Sequence, residues 1–194
     1  MSQDSLTAQI VRTLPTPADT DRLGRALASA CRAHAAAIAE HGLQVNLSGD
    51  LGAGKTALVR GWLRALDISG PIRSPTFAVL EPYVVSLRRP DTVGHSGLEA
   101  QDVSSLDFYH FDFYRFADPS EFSTAGFRDL FGAGHVCAIE WPEKAGERLP
   151  GGQRVESPGN LCAQAVDQPE QGGVGAIDVG AGLGAGLVQT LLRQ

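Results

Sequence analysis

The stretch "LQVNLSGDLGAGKTALVRGWLRAL", residues 43–66, joins three local patterns that together decide the fold. It opens with a short apolar strand and closes with leucine, valine and tryptophan on one face of a helix. Between them lies Gly49-x-x-x-x-Gly54-Lys55-Thr56, which has the spacing of a phosphate-binding loop. Glycines let backbone amides approach phosphate oxygens, and the helix N-terminus adds its positive dipole end. The stretch therefore predicts a phosphate cradle between a strand and a helix.

Charged and hydroxyl side chains around this loop predict a nucleotide and a metal. Lys55 would neutralise the outer phosphates, and the Thr56 hydroxyl would ligate Mg²⁺. Such a metal also needs an acidic anchor at the end of a neighbouring strand. The segment "YHFDFYRF", residues 109–116, offers Asp112 within an aromatic strand. The same carboxylate could instead face solvent from an edge strand.

Three further residues are candidates for the same site. Glu140 ends the apolar strand "HVCAIE", at the strand end where ligands gather in open α/β sheets, and it could ligate the metal or position water. Trp141 beside it would wall the site against bulk water, unless it is a core residue. Thr76, in "SPTF", could reach the metal and the γ-phosphate from a mobile loop, or be an ordinary turn residue. Phe113 stands where many ATPases place a glutamate, so the carboxylate that orients water stays open.

Strands alternate with helices along the chain, which predicts an α/β fold. We expect a P-loop NTPase-like three-layer sandwich with a mostly parallel central sheet and antiparallel edge strands. The elements are a helix over 20–35 with Thr20 as its N-cap, strands over 43–47, 106–116 and 135–140, a strand after Pro75, one or two edge strands after Val155, and a closing helical turn over 187–193. Residues 87–105 lack a sustained period and predict a surface loop insertion in a single domain spanning 1–194.

Composition limits the possible partners. The formal charge of −6 and the pI near 5.3 argue against a broad basic face for nucleic acid. Three widely spaced cysteines, without a C-x-x-C pair, favour buried thiols in a reducing compartment. The N-terminus shows no signal-peptide pattern. We therefore expect a cytoplasmic protein with neither a membrane nor a DNA partner.

Four motifs in order, "GDLGAGKT", "SPTF", "HFDFYR" and "IEWPEK", resemble those of the bacterial TsaE (YjeE) family. The resemblance extends from about Leu14 to Leu192. That family consists of small P-loop ATPases needed to make threonylcarbamoyladenosine beside the anticodon of tRNA. They bind the complex of TsaB and TsaD and use ATP turnover to reset it, whereas TsaD performs the transfer. The resemblance implies the same partners here, with tRNA reached only through the complex.

The resemblance also implies cofactors and site residues. ATP and Mg²⁺ are the expected cofactors, with Thr56 and Glu140 ligating the metal and Asp112 supporting its site. Lys55, Asp112 and Glu140 are the expected catalytic residues. The expected nucleotide contacts come from the loop, the two flanking motifs and a threonine in the family's N-terminal helix: Thr20, Gly49, Leu51, Gly52, Ala53, Gly54, Lys55, Thr56, Thr76 and Trp141.

Two other functions stay open at this point. In a binding module, the ATP-bound protein would clamp its partner and hydrolysis would be incidental; Phe113 after Asp112 keeps this alternative. A small-molecule P-loop kinase would need a lid carrying several arginines, whereas the arginines here are scattered. A GTPase is disfavoured because no N-K-x-D motif occurs in the chain.

Overall fold

A computed structural model describes residues 8–87, 105–150, 160–166 and 174–179. Within these ranges the chain forms seven strands and four α-helices. The strands are β1 (Ala8–Thr13), β2 (Leu43–Ser48), β3 (Leu80–Ser86), β4 (Ser105–Asp112), β5 (His135–Glu140), β6 (Asn160–Val166) and β7 (Val174–Val179). The helices are α1 (Pro17–Ala33), α2 (Ala35–His41), α3 (Lys55–Ala65) and α4 (Ser120–Thr124).

All seven strands belong to one sheet, in the order β1-β7-β6-β2-β5-β4-β3. The four central strands β6, β2, β5 and β4 are mutually parallel. Strand β3 pairs antiparallel with β4 at one edge, and β7 and β1 continue antiparallel at the other. The predicted α/β fold, with a mostly parallel central sheet and antiparallel edge strands, is confirmed.

Alternation along the central strands divides the core between the two faces of the sheet. In β5, Val136 and Ala138 join the cluster that contains the buried residues of α1 and α3, while Cys137 and Ile139 join a second cluster on the opposite face. Phe122 of α4 and short 3₁₀ turns cover that second face. Burial on both faces is what parallel strands require. The arrangement is the predicted three-layer sandwich.

The register brings the ends of three strands together. Glu140 at the end of β5 pairs with Leu47 of β2 on one side and with Asp112 of β4 on the other. Neighbouring strands lie about 4.8 Å apart, so the residues at these ends are close neighbours. The phosphate-loop sequence follows directly after β2. The sheet therefore delivers the loop and both predicted carboxylates to one edge.

Helix α3, which begins at Lys55, packs closely against α1 through a glycine. A Cβ atom on Gly24 would lie 2.6 Å from the carbonyl carbon of Gly61 and 2.6 Å from the backbone nitrogen of Trp62. Real Cβ atoms essentially never approach backbone this closely. Gly24 thus sets the distance between the two helices and the position of the helix that follows the loop.

The predicted N-cap of the first helix is wrong. Helix α1 begins at Pro17, and Thr16 is its N-cap: the Thr16 hydroxyl accepts from the Asp19 amide at 3.3 Å, and the Asp19 carboxylate accepts from the Thr16 amide at 3.1 Å. This reciprocal capping box satisfies two amides at once, and proline suits the first helical position. Thr20 therefore lies within the first turn.

The aromatic strand predicted over 106–116 ends earlier, at Asp112. The Tyr114 amide donates to Asp112 Oδ1 at 3.0 Å, a local side-chain turn that leads the chain out of the sheet. Alternate residues of this segment share one face, since Phe111 and Phe113 are buried in the second cluster and Tyr109 packs against it.

Several predictions concern parts of the chain beyond the described residues. Of the predicted insertion over 87–105, residues 88–104 lie outside them, while Leu87 is buried and Ser105 begins β4. The closing helical turn over 187–193 also lies outside them. The single-domain assignment of 1–194 stays a prediction. In the described part of the chain, no helix is both long enough and apolar enough to span a bilayer.

Candidate functional site

A cavity of about 310 Å³ opens at the sheet edge where β2, β4 and β5 end. Its lining contains ten of the predicted site residues: Leu51, Gly52, Ala53, Gly54, Lys55, Thr56, Thr76, Asp112, Glu140 and Trp141. Ala57, Ser74 and Tyr114 complete it. Residues that are distant in the sequence thus meet in one concave site. Ligand sites of open α/β sheets commonly lie at the carboxyl ends of the strands, as this cavity does.

The loop between β2 and α3 is shaped to receive an anion. Gly52 and Gly54 adopt φ values of +87° and +90°, which residues with side chains rarely adopt. No heavy atom lies within 4 Å of the position where a Cβ would stand on either glycine. The space in front of this backbone is therefore open, and it leads to the N-terminus of α3, where unsatisfied amides favour negative charge.

The Lys55 ammonium folds back over this loop. Its Nζ donates to the carbonyl oxygens of Gly49 at 2.6 Å and Asp50 at 2.9 Å, and lies 4.0 Å from the centre of the Trp141 ring. Burial lowers the pKa of Lys55, although the carboxylates nearby, Glu140 foremost, act in the opposite direction. The cation is held by neutral groups that a phosphate oxygen can replace.

Glu140 receives two close partners on the same oxygen. The Thr56 hydroxyl donates to Glu140 Oε1 at 2.7 Å, and His110 Nε2 lies 2.9 Å from that oxygen. Glu140 is 3% exposed and His110 is fully buried. The hydroxyl at the start of α3 is thereby joined to the carboxylate at the end of β5.

Asp112 is tied to the "SPTF" loop instead of solvent. Its Oδ2 accepts from the Thr76 hydroxyl at 2.6 Å and from Ser74 at 3.5 Å, while Oδ1 accepts from the Tyr114 amide. Asp112 is 3% exposed, and β4 has a neighbour on each side. The alternative of a solvent-facing carboxylate on an edge strand is wrong. Likewise, Thr76 does more than fill a turn, because its hydroxyl links the loop to β4.

Strained backbone borders the cavity at two non-glycine residues. Trp141 adopts φ +58° directly after β5, and Val79, which ends the "SPTF" loop, adopts φ +67°. A left-handed backbone conformation is strained for a bulky or β-branched residue. It persists only where surrounding contacts hold it in place. Here the Val79 carbonyl accepts from the Asp112 amide at 3.0 Å, and the Trp141 amide donates to the Leu47 carbonyl at 3.2 Å.

Trp141 fits both interpretations that the sequence allowed. Its ring lines the cavity beneath the Lys55 ammonium, and its centre lies 5.1 Å from that of Tyr114. The same side chain is half-buried and packs against the second core cluster. The two aromatic rings form one wall of the cavity.

Two predicted nucleotide contacts are not part of this lining. Gly49 lies just before the first lining residue in sequence and contributes one of the two carbonyls that hold Lys55. Thr20 lies in the first turn of α1, half-buried, with its amide 3.3 Å from the Thr16 carbonyl. Nucleotide contacts from both residues stay predictions.

His110 is the residue that sequence reasoning missed. Its signal was present in "YHFDFYRF", because a histidine two positions before Asp112 on a strand shares a face with it. Apolar aromatic neighbours on both sides concealed this polar stripe.

The oxygen donors of the cavity fit Mg²⁺. Thr56, Asp112 and Glu140 offer one hydroxyl and two carboxylates, and Mg²⁺ commonly combines one or two carboxylates with substrate phosphates. Among residues 14–87 and 105–150, no cluster of three or more His, Cys, Asp and Glu side chains could hold a metal. The donor set suits a metal that arrives with a nucleotide.

Comparison with known proteins agrees with this geometry. The model of the family described as "Threonylcarbamoyl adenosine biosynthesis protein TsaE" matches residues 14–158, which include the loop and both carboxylates. The match ends at residue 158, whereas the motif resemblance predicted an extent to about Leu192.

Two curated relatives are named tRNA threonylcarbamoyladenosine biosynthesis protein TsaE. The one from Haemophilus influenzae is 39% identical over 111 residues, which cover 57% of this chain and 59% of that protein. The one from Mycobacterium tuberculosis is 37% identical over 145 residues, covering 74% of this chain and 75% of that protein. The chain thus spans about three-fifths of the length of the first relative.

The crystal structure of YdiB from Bacillus subtilis has the same fold. It superposes with a TM-score of 0.63 and 22% identity, covering 99% of this chain and 98% of that one. At this identity the likeness speaks for the fold alone. Because the family model spans residues 14–158 and two relatives share more than a third of their aligned residues, the chain belongs to the TsaE family of threonylcarbamoyl adenosine biosynthesis proteins.

Proposed function

We propose that this chain is a Mg²⁺-dependent ATPase of the cytoplasm that acts in tRNA threonylcarbamoyladenosine formation by binding and resetting the TsaB–TsaD complex. The observation that carries the proposal is the hydrogen bond from Thr56 at the start of α3 to Glu140 at the end of β5. It unites a phosphate loop with an acidic strand end, the two parts that P-loop NTPases combine around a metal. Contact with tRNA is made through the complex.

Each side chain has a distinct part in this proposal. The amides of the loop and the Lys55 ammonium bind the phosphates, and Thr56, Asp112 and Glu140 hold the metal. Mg²⁺, when bound, supplies positive charge against the phosphate oxygens. Tyr114 and Trp141 exclude bulk water from the cavity that they line.

The hydrogen bonds favour Glu140 over Asp112 as the group that orients the attacking water. Asp112 uses both oxygens, one for Thr76 and one for the Tyr114 amide. The contacts of Glu140 with Thr56 and His110 both use Oε1. Glu140 therefore has a carboxylate oxygen that those contacts leave for a new partner, and general-base catalysis needs such an acceptor.

An ATP-binding clamp with incidental hydrolysis is the second candidate. Phe113, where many ATPases carry a glutamate, is fully buried in the second core cluster. No carboxylate can act from that position. A small-molecule kinase has less support, since the cavity lining within the described ranges contains no arginine.

Hydrolysis of Mg²⁺-ATP by the purified protein, alone and with the TsaB–TsaD pair, tests the proposal. We expect slow turnover alone and faster turnover with the pair. Glu140→Gln should lower turnover by about a hundredfold at saturating Mg²⁺-ATP, because it removes a general base. Glu147→Gln, on an exposed residue outside the cavity, is the matched control and should behave as wild type.

Two results would decide against this account. Tight ATP binding without turnover in either condition would make the protein a nucleotide-controlled clamp. Wild-type turnover in Glu140→Gln would remove Glu140 from the chemistry.

A further inference from the structure

His110 is a polar side chain in an apolar setting. It lies inside β4, is fully buried, and stands two residues after Phe108, whose ring packs edge-on against Trp62 at 4.9 Å. The register pairs His110 with Ala138 and Asp112 with Glu140. His110 and Glu140 are thus diagonal neighbours on one face of the sheet, and their side chains meet at 2.9 Å.

Packing alone does not account for a histidine at this position. Its Nδ1 is buried and has no hydrogen-bond partner among the residues that the structure describes. A buried polar atom without a partner costs free energy that a leucine or phenylalanine would not incur. The one side-chain hydrogen bond of His110 seen in the described part of the chain goes to Glu140. That contact is the feature that an apolar residue could not supply.

The chemistry of the contact fixes its direction. An ionised carboxylate, the form that ligates a metal, only accepts hydrogen bonds, so toward an ionised Glu140 the His110 Nε2–H donates a hydrogen bond to Oε1. The Thr56 hydroxyl donates to the same oxygen at 2.7 Å. Two donors from two different elements therefore hold one oxygen of the carboxylate in place.

We propose that His110 is a positioning residue that orients the Glu140 carboxylate for the Mg²⁺-bound nucleotide by holding Oε1 beside Thr56. The inference rests on the proposed function, since it concerns the same site. Outer partners of this kind fix the orientation of ligating carboxylates, and their loss typically costs about 10–100-fold in metal affinity. His110 itself does not line the cavity and touches neither substrate nor metal in this proposal.

The proposal predicts that removing the His110 donor weakens ATP binding mainly when Mg²⁺ is present. Without the His110 donor, ATP affinity in the presence of Mg²⁺ should fall by about 10–100-fold. ATP affinity in EDTA should change by less than about threefold, because His110 does not line the cavity and the loop and Lys55 are unchanged. The ratio of the two affinities separates orientation of Glu140 from general damage to the protein.

A matched pair of variants tests this ratio by calorimetric titration with ATP, in EDTA and in Mg²⁺. His110→Gln keeps a hydrogen-bond donor, the amide at the end of the side chain. His110→Met introduces a side chain of nearly the same shape as glutamine that carries no donor. We expect His110→Gln to retain the wild-type ratio within about threefold and His110→Met to lose it. Phe108→Leu, which loosens the same buried face without touching Glu140, should leave the ratio unchanged.

Three outcomes would overturn the proposal. His110→Met could keep the wild-type ratio, or the two variants could lose it equally, or ATP affinity in EDTA could fall as much as that in Mg²⁺. If His110→Met fails to fold, His110→Gln decides alone, since loss of its ratio contradicts the proposal. A wild-type protein whose ATP affinity is the same with and without Mg²⁺ would instead refute the proposed function, and this inference with it.

Discussion

The Lys55 ammonium makes contacts with neutral groups that the phosphate oxygens of a ligand can replace. The ammonium rests on two loop carbonyls and on the face of Trp141, and burial lowers its pKa. Phosphate oxygens would offer it negatively charged partners in place of neutral carbonyls, which adds the attraction between opposite charges. Lys55 should therefore contribute strongly to nucleotide affinity.

Replacement of Lys55 by alanine should weaken ATP binding by about 10–100-fold, because hydrogen bonds to charged groups contribute about 1.5–3 kcal/mol. Calorimetric titration with ATP measures the loss. Lys144→Ala removes the same charge from an exposed residue outside the cavity and should bind ATP as wild type does. Wild-type affinity in Lys55→Ala would exclude this loop as the phosphate site.

Sequence reasoning at the residue scale succeeded where a pattern constrains chemistry tightly. The loop spacing indicated Lys55 and Thr56. A lone carboxylate within an aromatic strand indicated Asp112, and the end of an apolar strand indicated Glu140. All four residues line one cavity, and their roles stay predictions. His110 was missed because its significance depends on a diagonal contact between two strands. Such a contact needs the register, which the sequence of one strand does not contain.

At the scale of elements, the helices were easier to predict than their contacts. Apolar spacing predicted both α1 and α3. Nothing in that spacing reveals that Gly24 lies against the backbone of Gly61 and Trp62. The prediction of Thr20 as N-cap was wrong for a related reason. Thr16 and Thr20 are both suitable N-cap residues, and the reciprocal hydrogen bonds between Thr16 and Asp19 decide between them.

Gly24→Ala tests the close approach of α1 and α3. Alanine raises helix propensity by about 1 kcal/mol, but its Cβ would collide with backbone, and such overpacking typically costs about 1–3 kcal/mol. We expect a lower free energy of unfolding in urea, because backbone cannot move aside as a flexible side chain can. Arg25→Ala, on the exposed neighbouring residue, should stay within about 0.5 kcal/mol of wild type. A stabilised Gly24→Ala would refute the close approach.

At the scale of the whole molecule, the alternation of strands with helices predicted the α/β class. The segment after Val155 predicted one or two edge strands. The N-terminal strand β1 was not predicted. It pairs with β7, more than 160 residues later in the chain, and such non-local pairing leaves no mark in a short stretch of sequence. The insertion over 87–105 stays a prediction, although the pairing of Ser86 with Ser105 shows that it connects adjacent strand ends.

The most direct test of the account at this scale is the number of tRNA molecules that each TsaB–TsaD complex modifies. The assay would supply activated threonylcarbamoyl donor, tRNA, Mg²⁺-ATP and this chain. We expect repeated rounds of modification with the wild-type chain and about a single round with Glu140→Gln, because binding without hydrolysis would leave the complex unreset. Repeated rounds at the wild-type rate with Glu140→Gln would contradict an ATPase that resets its partner.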